Sequence, residues 1–207
     1  MTAALKICGM RHPVNIAEVA SLQPDYLGFI FYDQSPRWVG AHFRMPVIPS
    51  AIKRVGVFVN ENTETILNTV HRHALDVVQL HGHETPEQCR ELKSHGVRII
   101  KAFAVDDAFD FETVRSFSDY VNYFLFDAKG KHFGGNGTAF NWSVLHRYDQ
   151  RVPFFLSGGI SAKNISRIPD MSRMNLHSFD VNSGVEISPG VKDVNRIKDL
   201  KQIINVL

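Results

Sequence analysis

The chain has 207 residues, 44% of them hydrophobic, and a formal net charge of +2. This bounds one core of moderate size. The scattered Lys and Arg exclude the basic stripe that nucleic-acid binding needs, and no apolar run approaches the roughly 20 residues of a membrane span. The first residues lack the basic-then-apolar pattern of an export signal. Cys8 and Cys89 are the only cysteines, too few for a disulfide scaffold, so a reducing cytoplasm is the expected setting. The sequons at Asn136, Asn141 and Asn164 then carry no meaning.

Strand-like and helix-like segments alternate along the chain. Residues 5–8 read as a strand and 14–22 as a helix. A strand follows at 26–31, and another, rich in Val, at 54–59. Residues 63–74 have helical spacing in Ile66, Leu67 and Val70, with Thr63 as the expected N-cap. Next come a strand at 77–80 and a helix at 86–95, with Pro86 suited to its first turn. The remaining strands are expected at 97–104, 123–127, 153–157 and 179–183. The remaining helical segments are expected at 108–117, 142–147, 162–167 and 194–206. Most strands are continuous apolar runs, as parallel strands buried on both faces are. Eight strand–helix units in this length predict one (β/α)8 barrel spanning residues 1–207. Between 39 and 53, Pro46, Pro49 and weak periodicity predict an irregular crossover in place of a full second helix. A doubly wound open sheet is the alternative, but no G-x-G-x-x-G follows any strand.

In such a barrel the active site lies just past the strand C-termini. That rule nominates Cys8 and Gly9, then Ser35-Pro36-Arg37, then His81-Gly82-His83. It nominates Asp127 with the glycine-rich run 134–137 beyond it, then Gly158-Gly159, then Ser183-Gly184-Val185-Glu186. A thiol at one strand end and a carboxyl at another form a base–acid pair for moving protons on a small molecule. Gly158, Gly159, Ser183 and Gly184 follow strands seven and eight, where these barrels commonly bind phosphate. Backbone N–H groups approach an anion closely where glycine lines the loop. Arg37, in a rigid turn at a strand mouth, suits a carboxylate. Blander readings stand beside these. Free cysteines commonly pack as small hydrophobes, which is the assignment for Cys89. Asp127 has the chemistry of a turn residue, and paired glycines make tight turns. The pairs His71/His73 and His81/His83 lack a third ligand at metal-site spacing, so no metal is expected. P-loop and nucleophile-elbow patterns are missing from the sequence.

Together these residues resemble phosphoribosylanthranilate isomerases. The marks are Lys-Ile-Cys-Gly at 6–9, Ser-Pro-Arg at 35–37, Val-Gly-Val-Phe-Val-Asn at 55–60 and Val-Gln-Leu-His-Gly at 78–82. They continue with Phe-Asp at 126–127, Gly-Gly-Asn-Gly at 134–137, Ser-Gly-Gly at 157–159, Asp-Val-Asn-Ser-Gly-Val-Glu at 180–186 and Ser-Pro-Gly-Val-Lys-Asp at 188–193. The resemblance implies a (β/α)8 enzyme of tryptophan biosynthesis that performs an Amadori rearrangement on a phosphorylated aminoaldose. It puts the general base on Cys8 and the general acid on Asp127. The anthranilate-carboxylate contact falls on Arg37, and the phosphate contacts on Gly158, Gly159, Ser183 and Gly184. The acidic residue the family often has early in the first helix is replaced near Asn15, and Thr138 stands where a lysine often follows the last glycine of the loop.

The protonated imine formed on ring opening is its own electron sink, so the chemistry calls for no cofactor. The expected partner is a small phosphorylated metabolite, with no nucleic acid and no membrane. The sequence leans toward a monomer without fixing the oligomeric state. Two rivals remain at this point: another phosphate-binding barrel enzyme, such as a pentose-phosphate epimerase, and a barrel that binds phosphorylated metabolites without turning them over.

Overall fold

A computed structural model describes residues 3–128, 142–168, 171 and 173–206. Eight parallel strands close into a barrel in chain order: β1 (Ala4–Ile7), β2 (Tyr26–Ile30), β3 (Lys53–Phe58), β4 (Val77–Leu80), β5 (Ile99–Val105), β6 (Tyr123–Ala128), β7 (Phe154–Ser157) and β8 (Leu176–Val181). β8 returns to β1 with Lys6 opposite Asp180, and that pairing closes the ring. The expected (β/α)8 class is therefore observed.

Two apolar layers result. Inside the barrel, Tyr26, Val55, Val77, Ile100, Ala102, Tyr123, Leu125 and Phe155 fill the lower interior. Outside, a larger layer including Ile7, Phe29, Phe58, Phe124, Phe126 and Phe154 lies under the surrounding helices. The near-continuous burial along these strands is why they read as largely apolar runs, with Lys6 and Gln79 as the polar exceptions in β1 and β4.

The helices are α1 (Pro13–Ser21), α2 (Thr63–His73), α3 (Pro86–Ser94) and α4 (Val194–Ile204). α2 is capped by Asn62, whose side chain accepts from the Thr65 amide at 2.9 Å; Thr63, the expected cap, is the first helical residue instead. α3 starts on Pro86, as expected, with Thr85 as its cap. No helix covers residues 39–52, in line with the two prolines there.

The helix expected at 108–117 is corrected to a 3-10 helix at Phe111–Phe117; the short helix expected at 142–147 is a 3-10 helix over Trp142–Arg147, and the helical turn or two expected at 162–167 is the 3-10 turn Ile165–Arg167. In the first, the buried residues are Phe111, Val114 and Phe117, a spacing of three that suits the tighter helix. An unanticipated hairpin, β9 (Glu186–Ser188) and β10 (Val191–Lys192), turns through Pro189 and Gly190 before α4. No helix among the described residues is long and apolar enough to cross a membrane.

Candidate active site

Alternate residues of a strand face the same side. β1 therefore sends Lys6 into the barrel, with Cys8 two residues on at its rim. Lys6 is fully buried and donates to Asp180 Oδ1 of β8 and Gln79 Oε1 of β4, both at 2.8 Å. Gln79 then meets His81 Nδ1 at 2.7 Å, and His81 Nε2 lies 3.7 Å from Asp127 Oδ2 at the end of β6. One polar chain thus crosses the barrel mouth from Asp180 through Lys6, Gln79 and His81 to Asp127. Cys8 stands beside its Lys6 end, close enough that each group's charge acts on the other.

Close packing sets the Cys8 position. A Cβ added to Gly28 of β2 would sit 2.8 Å from Cys8 Sγ, so glycine alone leaves room for the sulfur. Gly9 has φ +74°, and a Cβ there would lie 2.7 Å from Asn182 Oδ1 and 2.8 Å from Arg37 Cδ. The Lys-Ile-Cys-Gly run is thereby held against both the β2 turn and the loop after β8.

Burial pushes the Cys8 thiol up. Lys6 and Lys192 oppose the shift and Asp180 adds to it, so the resting group is a thiol. Burial also works against the Lys6 ammonium. Asp180, with a smaller contribution from Cys8, outweighs it and holds Lys6 above its usual range. For Asp180, burial outweighs Lys6 and raises the carboxyl. The lysine is the firmer charge of this pair.

A second ionic cluster lies beside Gly9, between the turn after β2 and the loop after β8. Arg37 grips Glu186 with Nε at 2.9 and 3.1 Å and Nη2 at 2.7 Å, a bidentate pair. Lys192 adds 2.7 Å to Glu186 Oε1 and 2.6 Å to Asn182 Oδ1. Burial works against the Glu186 carboxylate, but Arg37 and Lys192 hold it below its usual range. Asn15 ties this cluster to α1. Its amide donates to the Lys192 carbonyl at 2.9 Å and accepts from the Lys192 amide at 2.7 Å. An aspartate offers no donor for the first bond, which gives the departure at Asn15 a structural use.

Gly158 and Gly159 have φ +108° and +67° in the loop after β7. Gly184 lies so close to the Ile160 carbonyl that no Cβ fits, so the β7 and β8 loops touch at the proposed phosphate corner. Ser183 begins the short turn Ser183–Val185 there. Cys89 is buried in α3, as expected of a packing residue. The 134–137 run lies outside the described residues. Among the described residues there is no cluster of three or more His, Cys, Asp or Glu placed to hold a metal.

Lys6, Gln79, His81, Asp180, Glu186 and Lys192 were not singled out for these roles from the sequence. A signal for two of them was present: a lysine at the third position of a buried apolar strand, and a glutamine inside Val-Val-Gln-Leu, are polar residues that need buried partners.

Known proteins share this chain's sequence and fold. The model of the N-(5'-phosphoribosyl)anthranilate isomerase family matches residues 5–203. The isomerase of Parabacteroides distasonis is 42% identical, with 97% of this chain and 92% of that protein covered. That of Phocaeicola vulgatus is 40% identical, with 91% of each covered. The crystal structure of the Thermotoga maritima enzyme superposes with a TM-score of 0.86 at 32% identity, covering 99% of this chain and 100% of that one. A second solved isomerase, in complex with reduced 1-(o-carboxyphenylamino)-1-deoxyribulose 5-phosphate, gives a TM-score of 0.81 at 30% identity over 99% and 100% of the chains. With its closed barrel, and a family match running from β1 into α4, the chain belongs to the N-(5'-phosphoribosyl)anthranilate isomerases.

Proposed function

We propose that Cys8 is the general base and Asp127 the general acid of this family's reaction. The reaction converts N-(5-phosphoribosyl)anthranilate to 1-(2-carboxyphenylamino)-1-deoxyribulose 5-phosphate in L-tryptophan biosynthesis. The observation that carries the assignment is the polar chain from Lys6, beside Cys8, to Asp127 across one barrel mouth.

The order of events follows from the charges. Asp127 gives its proton to the ring oxygen. The C1'–O bond breaks, and the anthranilate nitrogen lone pair forms the C=N bond of a cationic imine. That cation acidifies the C2' hydrogen and adds positive charge near Cys8, favouring the thiolate that burial disfavours at rest. Cys8 releases its thiol proton to solvent at the barrel mouth and, as the thiolate, takes the C2' proton. The electron pair left at C2' forms C1'=C2' and neutralises the imine, and the enolamine tautomerises to the ketone. Acid therefore precedes base.

Arg37 is assigned to the anthranilate carboxylate. Gly158, Gly159, Ser183 and Gly184 are assigned to the phosphate, supported by positive φ in one loop and the contact between the two loops. The reading includes a single catalytic domain and a cytoplasmic setting, the latter supported by two free, buried cysteines.

The test follows the fluorescence of phosphoribosylanthranilate with purified protein. Cys8→Ala and Asp127→Asn should each lose at least about 10²-fold in kcat with the fold retained. Near-normal turnover by either variant refutes its role. Arg37→Ala should raise KM more than it lowers kcat; the reverse pattern moves Arg37 into the chemical step.

A further inference from the structure

The chain from Lys6 to Asp127 also settles where a proton sits. Lys6 Nζ is a pure donor, so the Gln79 atom 2.8 Å away must be the carbonyl oxygen. The second Lys6 bond, to Asp180, keeps the ammonium in place. The Gln79 amide nitrogen must then face His81 Nδ1, at 2.7 Å. That nitrogen is also a pure donor. An N–H on Nδ1 would set two donors face to face, so Nδ1 is the bare, accepting nitrogen and the ring proton lies on Nε2. Nε2 is the atom directed at Asp127 Oδ2, 3.7 Å away.

We propose that Gln79, oriented by Lys6, is a positioning residue that locks His81 in its Nε2–H tautomer and so aims an N–H at the Asp127 carboxyl. The catalytic consequence rests on Asp127 being the acid. As Asp127 releases its proton, negative charge develops on the carboxylate. An N–H facing it stabilises that charge, whereas a lone pair there repels it. The separation is beyond hydrogen-bond range, and contacts of this kind tighten when substrate is bound. Fixing a ring tautomer through the partner of its other nitrogen is how buried carboxylates act on catalytic histidines; here a lysine-held amide takes that place.

The experiment reads the tautomer first, in the ligand-free protein. Long-range proton–nitrogen correlation spectra of uniformly labelled protein report which ring nitrogen is bare, with the His81 signals assigned by their loss in His81→Asn. The expected result is a bare Nδ1. A proton on Nδ1 in the wild type overturns the proposal, whatever the variants do.

Gln79→Glu replaces the donor with an acceptor while keeping a partner for Lys6. It should bring a proton to Nδ1 and lower kcat about tenfold or more, with KM changed less than about threefold. Gln79→Met removes the donor without adding charge and should give a mixture of tautomers and a smaller loss in kcat. A bare Nδ1 retained in Gln79→Glu overturns the lock. A tautomer exchanged with kcat unchanged overturns its catalytic consequence. Full activity of Asp127→Asn would remove the assigned acid but leave the tautomer result standing, so the two failures are distinguishable.

Discussion

The Lys6–Asp180 pair offers a test in which two substitutions act alike on stability and oppositely on the Cys8 thiol. Both groups are buried, 2.8 Å apart, and both act on Cys8. Asp180→Asn leaves Lys6 charged with two neutral acceptors, Gln79 Oε1 and the new amide oxygen. Breaking a buried pair at one partner costs about 3–5 kcal/mol, and the surviving bonds put this variant near the lower figure. Lys6→Met leaves Asp180 as an unpaired buried carboxylate, which burial already pushes toward its neutral form. Holding it protonated at pH 7 against an unfolded value near 3.9 costs up to about 4 kcal/mol, at 1.36 kcal/mol per pH unit. The folded Lys6→Met protein binds the extra proton, so its stability is fully present below about pH 4 and falls as pH rises.

The thiol reads the opposite way. Asp180 raises Cys8 and Lys6 lowers it. Asp180→Asn should therefore bring the Cys8 thiol down and Lys6→Met should push it further up. Thiolate absorbance in the ultraviolet, followed against pH, measures this directly. Cys89 stays silent over most of the range because burial pushes it up to about 12. Urea denaturation supplies the stabilities. Two variants that destabilise alike but move the thiol in opposite directions match the reasoning. Thiol shifts of the same sign, or a Lys6→Met deficit that does not shrink on acidification, refute it.

Gly28→Ala places a methyl 2.8 Å from Cys8 Sγ, so it should cut kcat while costing about 1–3 kcal/mol of stability; a fully active variant would show that the sulfur has room to move. Asn15→Ala leaves the buried Lys192 amide and carbonyl without their partners and should cost about 1–3 kcal/mol in denaturant titrations, with Asn15→Asp losing only the donor half. Burial lowers both His73 and His177 below the usual histidine range. The unfolded chain takes up protons near pH 6.5 that these folded residues resist, so their contribution is present above about pH 6.5 and is lost as pH falls. Unfolding measured between pH 8 and pH 5 should show this decline, and His73→Phe should flatten it; a slope unchanged by the substitution would remove His73 from the account.

Much of the fold was legible because barrel strands announce themselves locally. Phe154-Phe155-Leu156 is buried throughout and reads as an unbroken apolar run, and Val77-Val78-Gln79-Leu80 is buried throughout with one polar residue. Helix type was less legible. Residues 111–117 carry enough apolar content for a helix, and only the spacing of three in Phe111, Val114 and Phe117 separates a 3-10 turn from an α-helix. The hairpin of β9 and β10 had a signal in Ser188-Pro189-Gly190, where Gly190 takes φ +84° at the turn.

The site divides along a different line. Cys8, Arg37, Asp127 and the paired glycines sit at strand ends, where the barrel rule looks, and sequence position alone nominates them. What governs their chemistry comes from barrel closure. Lys6 and Asp180 are 174 residues apart, Lys6 and Gln79 are 73 apart, and they meet only because β8 pairs with β1 and the interior has room for three polar side chains above its apolar floor. A buried lysine on β1 has no local cause. It is tolerated because carboxylate and amide acceptors arrive from two other strands, and the chain uses the same solution for Lys101 with Glu84 and Lys192 with Glu186. Lys101, Glu84 and their acceptors close among themselves, which marks that pair as structural. Lys6 and Lys192 act on Cys8, and Lys6 also orients Gln79. Moving either charge therefore changes the chemistry at the barrel mouth, whereas moving Lys101 changes stability.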